Sequence, residues 1–353
     1  MAAASADPWS AAVADDSGHG GGESAAPQPG DQPLEWPRHG PLQSFPRGSG
    51  AGDCLHRILE QVEYQMAMDA PENRQIAERE LLRAGYADQP LDPLLEGLER
   101  LRHTPFGGDL GGWNLAQLPK CQRLNEMGFD LSLELVRAAD LAAVFQAHPG
   151  GCCDAGYAER LQALPVASRG FLTGSIDMAC PIPDREGQPR WWVIDWKSNW
   201  LGERDGDGEP VACGPHHYQR PAMAELMLEC HYPLQAHLYL VALHRYLRWR
   251  LPGYAPERHL GGYAYVFLRG VPGPLAASGG WDAGQMEVGQ MEAGQAEVGP
   301  AVSRSAQDGQ LELRLTEPSP GAEVPGIFLE RPPLRRVLAL EALFAGCRAE
   351  DKR

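Results

Sequence analysis

Lysine is nearly missing from this chain. Only Lys120, Lys197 and Lys352 occur among 353 residues, and arginine supplies the remaining 28 of 31 basic side chains. No stretch approaches the roughly 18 apolar residues of a membrane helix, so no membrane association is expected. The opening segment "MAAASADPWSAAVADDSGHG" lacks a basic start followed by an apolar run, which excludes a secretory signal and makes a cytoplasmic location the expectation. None of the eight cysteines forms a C-x-x-C pair, which argues against structural zinc or an iron–sulfur cluster and leaves buried, reduced thiols as the expected state. No G-x-x-x-x-G-K-[ST] occurs, so this chain contains no ATP-driven motor. A net positive charge is lacking too. At −16 the chain is not expected to hold DNA strongly by itself.

Much of that negative charge lies in two segments. Residues 1–52 carry six acids against two arginines, and residues 271–325 carry eight acids against two. Residues 1–48 are rich in Gly, Ala, Pro, Ser and Asp without periodicity, and read as a disordered leader or linker. Within 275–325 the five-residue repeat "AGQMEVGQMEAGQAEVG" has too few copies and too much glycine for a solenoid, and reads as a flexible insertion. The remainder, 49–348, is read as one domain, with 349–353 as a tail.

Patterned sequence starts at "AGDCLHRILEQVEYQMAM", where Leu55, Ile58, Leu59, Val62 and Met66 recur at helical spacing. Residues 71–120 read as helices and loops, broken by Pro90, Pro93, Pro105 and Gly107–Gly108. In "EMGFDLSLEL", Phe129, Leu131, Leu133 and Leu135 alternate as a strand. In "GFLTGSIDMA", Thr173, Ser175 and Asp177 take one face while Leu172, Ile176 and Met178 take the other. "RWWVIDWK" is a third strand, joined to the second by the polar turn "PDREGQP" as antiparallel neighbours are. A helix follows, broken near Pro233 and buried in its second half. "GGYAYVFLRGV" reads as a fourth strand and "LRRVLALEALFAG" as a last helix.

The chemistry centres on "IDWK". A strand's two-residue period puts Asp195 and Lys197 on one face. If "GFLTGSID" pairs with "WWVIDWK", Asp177 approaches Asp195, and two carboxylates can share a divalent ion. Metal-assisted phosphodiester hydrolysis needs that arrangement, because the ion polarises the phosphate and acidifies the attacking water. Lys197 would orient or deprotonate that water, or stabilise charge on the phosphate. Arginine is a poor substitute for a base because its pKa stays far too high. D-x-K by itself is a weak motif that also occurs as a salt-bridged strand end.

"GFLTGSIDMACPIPDREGQPRWWVIDWKSNWLG", "YPLQAHLYLVALHRYLRWRLPGY" and "GGYAYVFLRGV" closely resemble the nuclease domain at the C-terminus of the RecB family, a branch of the PD-(D/E)XK, restriction-endonuclease-like superfamily. "FPRGSGAGDCLHRILEQ" resembles the start of that domain and "GIFLERPPLRRVLALEALFAG" its end. Five blocks in family order span roughly residues 45–348, with looser likeness from about 70 to 165. The resemblance implies an α/β fold with a mixed central sheet flanked by helices. It implies His56, Asp177, Asp195 and the Ile194 carbonyl as metal ligands, and Glu126, Asp177, Asp195 and Lys197 as catalytic residues. It also implies Gln235 and Tyr239, from a Q-x-x-x-Y signature, as residues near DNA. Mg²⁺ is the implied ion, and a histidine ligand makes Mn²⁺ an alternative. One departure is Ile176, where the superfamily places a proline.

The function expected from the resemblance is Mg²⁺-dependent DNA cleavage of single strands delivered by a RecBCD-like helicase, in double-strand-break repair and recombination. Implied partners are RecC- and RecD-like subunits, RecB helicase domains and RecA. The chain reads as the nuclease portion alone, either a fragment or a separately encoded piece. Two alternatives stay open: a catalytically idle module that docks RecC- or RecA-type partners, and a stand-alone nuclease of the same fold.

Overall fold

The computed structural model describes residues 36–165, 167–184, 186–274 and 323–346. Residues 275–322 of the expected insertion, the tail and residues 1–35 of the expected leader lie outside them. Residues 36–48 are held in place where a free leader was expected: Leu42 and Phe45 are buried, and Gly40 N–H donates to the Cys213 carbonyl.

Three helices come first. In α1 (Ser49–Gln61), Leu55, Ile58 and Leu59 are fully buried along one stripe. Each contributes about 2 kcal/mol relative to exposure. The helix stops one residue before Val62, so Met66 is not on its face and is partly exposed. Helix α2 (Pro71–Ala84) opens on a proline, whose missing N–H costs nothing there, and closes on Gly85 in the left-handed region. Pro93 does not break the chain. It lies in the first turn of α3 (Leu91–His103) for the same reason as Pro71.

The strands β1 (Leu124–Arg137), β2 (Ala167–Pro183) and β3 (Pro189–Lys197) form an antiparallel meander, with α4 (Ala138–Ala147) and α5 (Ala155–Gln162) between the first two. The β2–β3 turn is fixed by Asp184, whose carboxylate accepts the N–H groups of Glu186 and Gln188. A small ribbon, β4 (Glu203–Arg204) with β5 (Pro210–Ala212), precedes α6 (Arg220–Glu229) and α7 (Tyr232–Arg250). The break between these helices falls at Cys230–His231, near Pro233 as expected, and the proline itself is accommodated in the first turn of α7. The short α8 (Pro256–His259) leads into β6 (Leu260–Phe267), which is parallel to β3. Strand β7 (Ile327–Glu330) pairs antiparallel with β6, and α9 (Leu334–Phe344) follows. The result is a five-stranded mixed sheet, β1-β2-β3-β6-β7, flanked by helices, as expected for a restriction-endonuclease-like fold.

Period-two alternation divides the core. Trp192, Ile194, Trp196, Ala264 and Val266 pack on the α1–α3 side, while Val193, Tyr263, Tyr265 and Phe267 pack on the α7 side. The alternation expected in β1 fails at Leu135: the pairing shifts between Leu133 and Val136, and Val136 is buried instead. The described cysteines are free thiols, but Cys121 is exposed rather than buried. Among the described residues no helix is long and apolar enough to cross a membrane.

Candidate metal centre

The alternation of β1 and β2 also breaks together at one level. Leu124 and Met127 lie three residues apart yet both pack on the α7 side, and so do Ile176 and Ala179 opposite them. In a regular strand such residues point to opposite faces. Glu126 and Asp177 occupy the break, flanked by the pairs Asn125–Met178 and Met127–Ile176. Glu126 has φ 47°, the left-handed region that a non-glycine residue seldom adopts. Such strain persists only where the surroundings impose it, and it gathers at functional sites.

His56 on α1 completes a convergent set. One ligand atom from each of His56, Glu126 and Asp177 lies within 4.8 Å of the others. The His56 ring is aimed from both ends. Its Nε2 is 2.9 Å from the Trp196 carbonyl, and its Nδ1 is 3.5 Å from Asp177 Oδ1. A carbonyl can only accept, so Nε2 carries the proton and Nδ1 faces the carboxylates. Asp177 Oδ2 accepts the Trp196 N–H at 2.8 Å. Trp196 thus serves the site twice through its backbone. Sequence reading missed it, since no side-chain pattern reports where a main-chain amide is used.

The charges respond to one another. Burial works against ionising both Asp177 and His56, yet their mutual attraction outweighs it, lowering the carboxyl and raising the imidazole. Burial raises Glu126, the Ser175 hydroxyl that it accepts from at 3.0 Å pulls the other way, and the charge of Asp177 adds to the rise.

Asp195 and Lys197 sit beside this set on β3. The β2–β3 pairing ends at Met178–Ile194, so Asp177 and Asp195 lie one step past the last pair, where the strands part. The Lys197 Nζ is 2.6 Å from Asp195 Oδ2; the Asp195 side chain is buried and that of Lys197 keeps a small exposed part. Burial pushes the Asp195 carboxyl up to about 6, against the pull of Lys197 and with help from Asp177. Lys197 is raised: burial opposes its charge, but Asp195 prevails. The expected ligand Asp195 is therefore ion-paired to Lys197, while Glu126 stands in the convergent set. Ile194 is a central-strand residue, opposite Met178 on one side and Ala264 on the other. The carbonyl that meets the site histidine is that of Trp196.

Gln235 and Tyr239 share a face of α7 but not a role. Gln235 Oε1 lies 3.4 Å from Lys197 Nζ and accepts the Tyr265 hydroxyl at 2.8 Å. Tyr239 is mostly buried and meets the Phe129 ring edge-on at 5.8 Å.

The donor set suits a hard divalent cation. Two carboxylates and one imidazole converge, a mixed oxygen and nitrogen set of the kind that holds such an ion with water filling the remaining positions.

No family model matches the chain. Among curated proteins it is similar to the RecBCD enzyme subunit RecB of Mycolicibacterium smegmatis, 36% identical over 69% of this chain and 23% of that protein. It is likewise similar to RecB of Mycobacterium tuberculosis strain CDC 1551 / Oshkosh, 34% identical over 66% of this chain and 22% of that protein. The similarity extends to RecB of Escherichia coli K12, 34% identical over 67% of this chain and 18% of that protein. The chain thus spans less than a quarter of the length of these relatives.

Proposed function

The chain belongs to the RecB family, and on that basis we propose that it is a metal-dependent DNA nuclease acting in RecBCD-type repair and recombination. The observation that carries the reading is the convergence of His56, Glu126 and Asp177 next to the buried Asp195–Lys197 pair. A purely structural module has no use for three convergent ligand side chains, one of them held at a strained strand position, which weighs against an idle docking role.

His56, Glu126 and Asp177 would hold the ion, with Asp195 adjacent. When bound, Mg²⁺ or Mn²⁺ would supply Lewis acidity toward the scissile phosphate and its attacking water. The protein's own groups do the rest. The Trp196 carbonyl fixes the His56 tautomer so that Nδ1 presents its lone pair. The Trp196 N–H fixes one Asp177 oxygen and leaves the other for the site. Lys197, held as an ammonium by Asp195, offers positive charge to a phosphate oxygen and a donor to orient water. Gln235 steadies that ammonium from α7. The acidic balance of the chain fits a strand brought by a helicase rather than captured from solution. RecC- and RecD-like subunits, RecB helicase domains and RecA are the partners that this reading implies.

The test is cleavage of single- and double-stranded oligonucleotides with Mg²⁺ or Mn²⁺, with and without EDTA. Asp195→Ala and Lys197→Gln should lower the rate at least about 100-fold, as expected for lost electrostatic stabilisation, and leave the circular dichroism spectrum of the folded protein intact. Robust metal-independent cutting, or full activity in either variant, would overturn the proposal.

A further inference from the structure

Lys197 is held by more than its carboxylate. Its Nζ lies 4.2 Å from the centroid of the Tyr232 ring and 5.0 Å from that of Tyr265. The two rings face each other at 5.4 Å and 27°. They come from different elements, the first residue of α7 and the middle of β6, and are tied together: the Tyr265 hydroxyl shares its one proton between Gln235 Oε1 at 2.8 Å and the Tyr232 carbonyl at 3.1 Å. The Tyr232 hydroxyl donates to Asn199 Oδ1 at 3.3 Å, linking it to the loop after Lys197. Both tyrosines are buried, at 5% and 0% exposure. An ammonium against desolvated ring faces is attracted by their quadrupoles more strongly than at an exposed site. A flexible four-carbon stem would otherwise let it wander.

We propose that Tyr232 and Tyr265 are positioning residues that form an aromatic box around the Lys197 ammonium and, with Asp195 and Gln235, hold it in one place beside the His56–Glu126–Asp177 set. The catalytic part rests on the nuclease reading above; the box itself does not. The geometry assigns the work to the rings and not to the hydroxyl of Tyr232, whose partner is Asn199. Removing the ring should free the lysine, and keeping the ring without its hydroxyl should restore the arrangement.

The near absence of lysine makes the box directly observable. With ¹³C-lysine, the full chain gives ε-methylene signals from only Lys120, Lys197 and Lys352. In the wild-type protein one signal, assigned by its loss in Lys197→Gln, should be displaced upfield by the ring currents of Tyr232 and Tyr265. Tyr232→Leu should move it back toward the free-lysine position, and Tyr232→Phe should keep it displaced. The Lys120 signal and a thermal melt report whether each variant is folded. In the cleavage assay at saturating metal, Tyr232→Leu should lose about 30-fold or more in kcat with KM within about two-fold of wild type, and Tyr232→Phe should recover most of that loss. A Lys197 methylene at the free-lysine position in the folded wild type overturns the box. Equal damage from Tyr232→Phe and Tyr232→Leu overturns the assignment to the ring. An unchanged kcat in a folded Tyr232→Leu protein whose signal has moved overturns the positioning role. If wild type cleaves nothing, the nuclease reading fails by itself, and the methylene shift still decides the box.

Discussion

Acid should loosen the helix that carries Gln235, and the reason is His237. This histidine is fully buried on α7 and sits between two partners of fixed polarity. Arg336 Nη1 on α9 donates to Nε2 at 3.3 Å, so Nε2 must be bare, and Nδ1–H donates to the Pro233 carbonyl at 2.6 Å. The Phe145 ring from α4 and the Tyr263 ring from β6 close the remaining sides. A second proton would set two donors face to face in a dry site. Burial, then the charge of Arg336, push the imidazole down to about 3, against the help of the Pro233 carbonyl. The unfolded chain titrates near the ordinary 6.5. Between those values the unfolded state binds the extra proton, so stability is complete above 6.5 and drains away as pH falls toward 3. From pH 7.5 to 5 the loss from this one group is about 2 kcal/mol. Urea unfolding followed by tryptophan fluorescence would measure it, comparing wild type with His237→Gln. The variant cannot titrate but can still accept from Arg336. It should be the less stable protein at pH 7.5, and the gap should narrow by about 2 kcal/mol at pH 5. A gap that stays constant across that range would refute the reasoning.

Two further outcomes follow from the site and its supports. Because Glu126 sits at φ 47°, Glu126→Gly should be more stable than Glu126→Ala by about 1 kcal/mol in the same unfolding assay, while both bind Mn²⁺ more weakly in calorimetry. If alanine is the more stable of the two, the strain argument fails. Arg269 is buried and donates to the carbonyls of Leu42, Phe45, Pro46 and Ser198, tying residues 42–46 to the loop after Lys197. Arg269→Met leaves those carbonyls without their donor. It should cost about 3 kcal/mol and admit protease near Arg47, seen as a shifted cleavage pattern by mass spectrometry.

The parts of the site legible in sequence were those set by short periods. Asp195 and Lys197 share a face because strands alternate, and the β2–β3 turn was written in "PDREGQP". Errors arose where a local pattern continued past a local irregularity, as at Leu135 beside the bulge and Met66 beyond the end of α1. The helices α4 and α5 and the short strand β7 carried no pattern strong enough to read.

Local chemistry by itself determined the alternating strands, the amphipathic first helix and a carboxylate–amine pair on one strand face. Those features depend on neighbours within a few residues, and backbone geometry repeats over that range. Tertiary packing alone decided that His56 reaches the backbone of a residue 140 positions away, and that Glu126 rather than Asp195 joins it and Asp177. It also brought two tyrosines from α7 and β6 around one ammonium. Such meetings depend on how layers stack across the sheet, a constraint that no window of sequence contains.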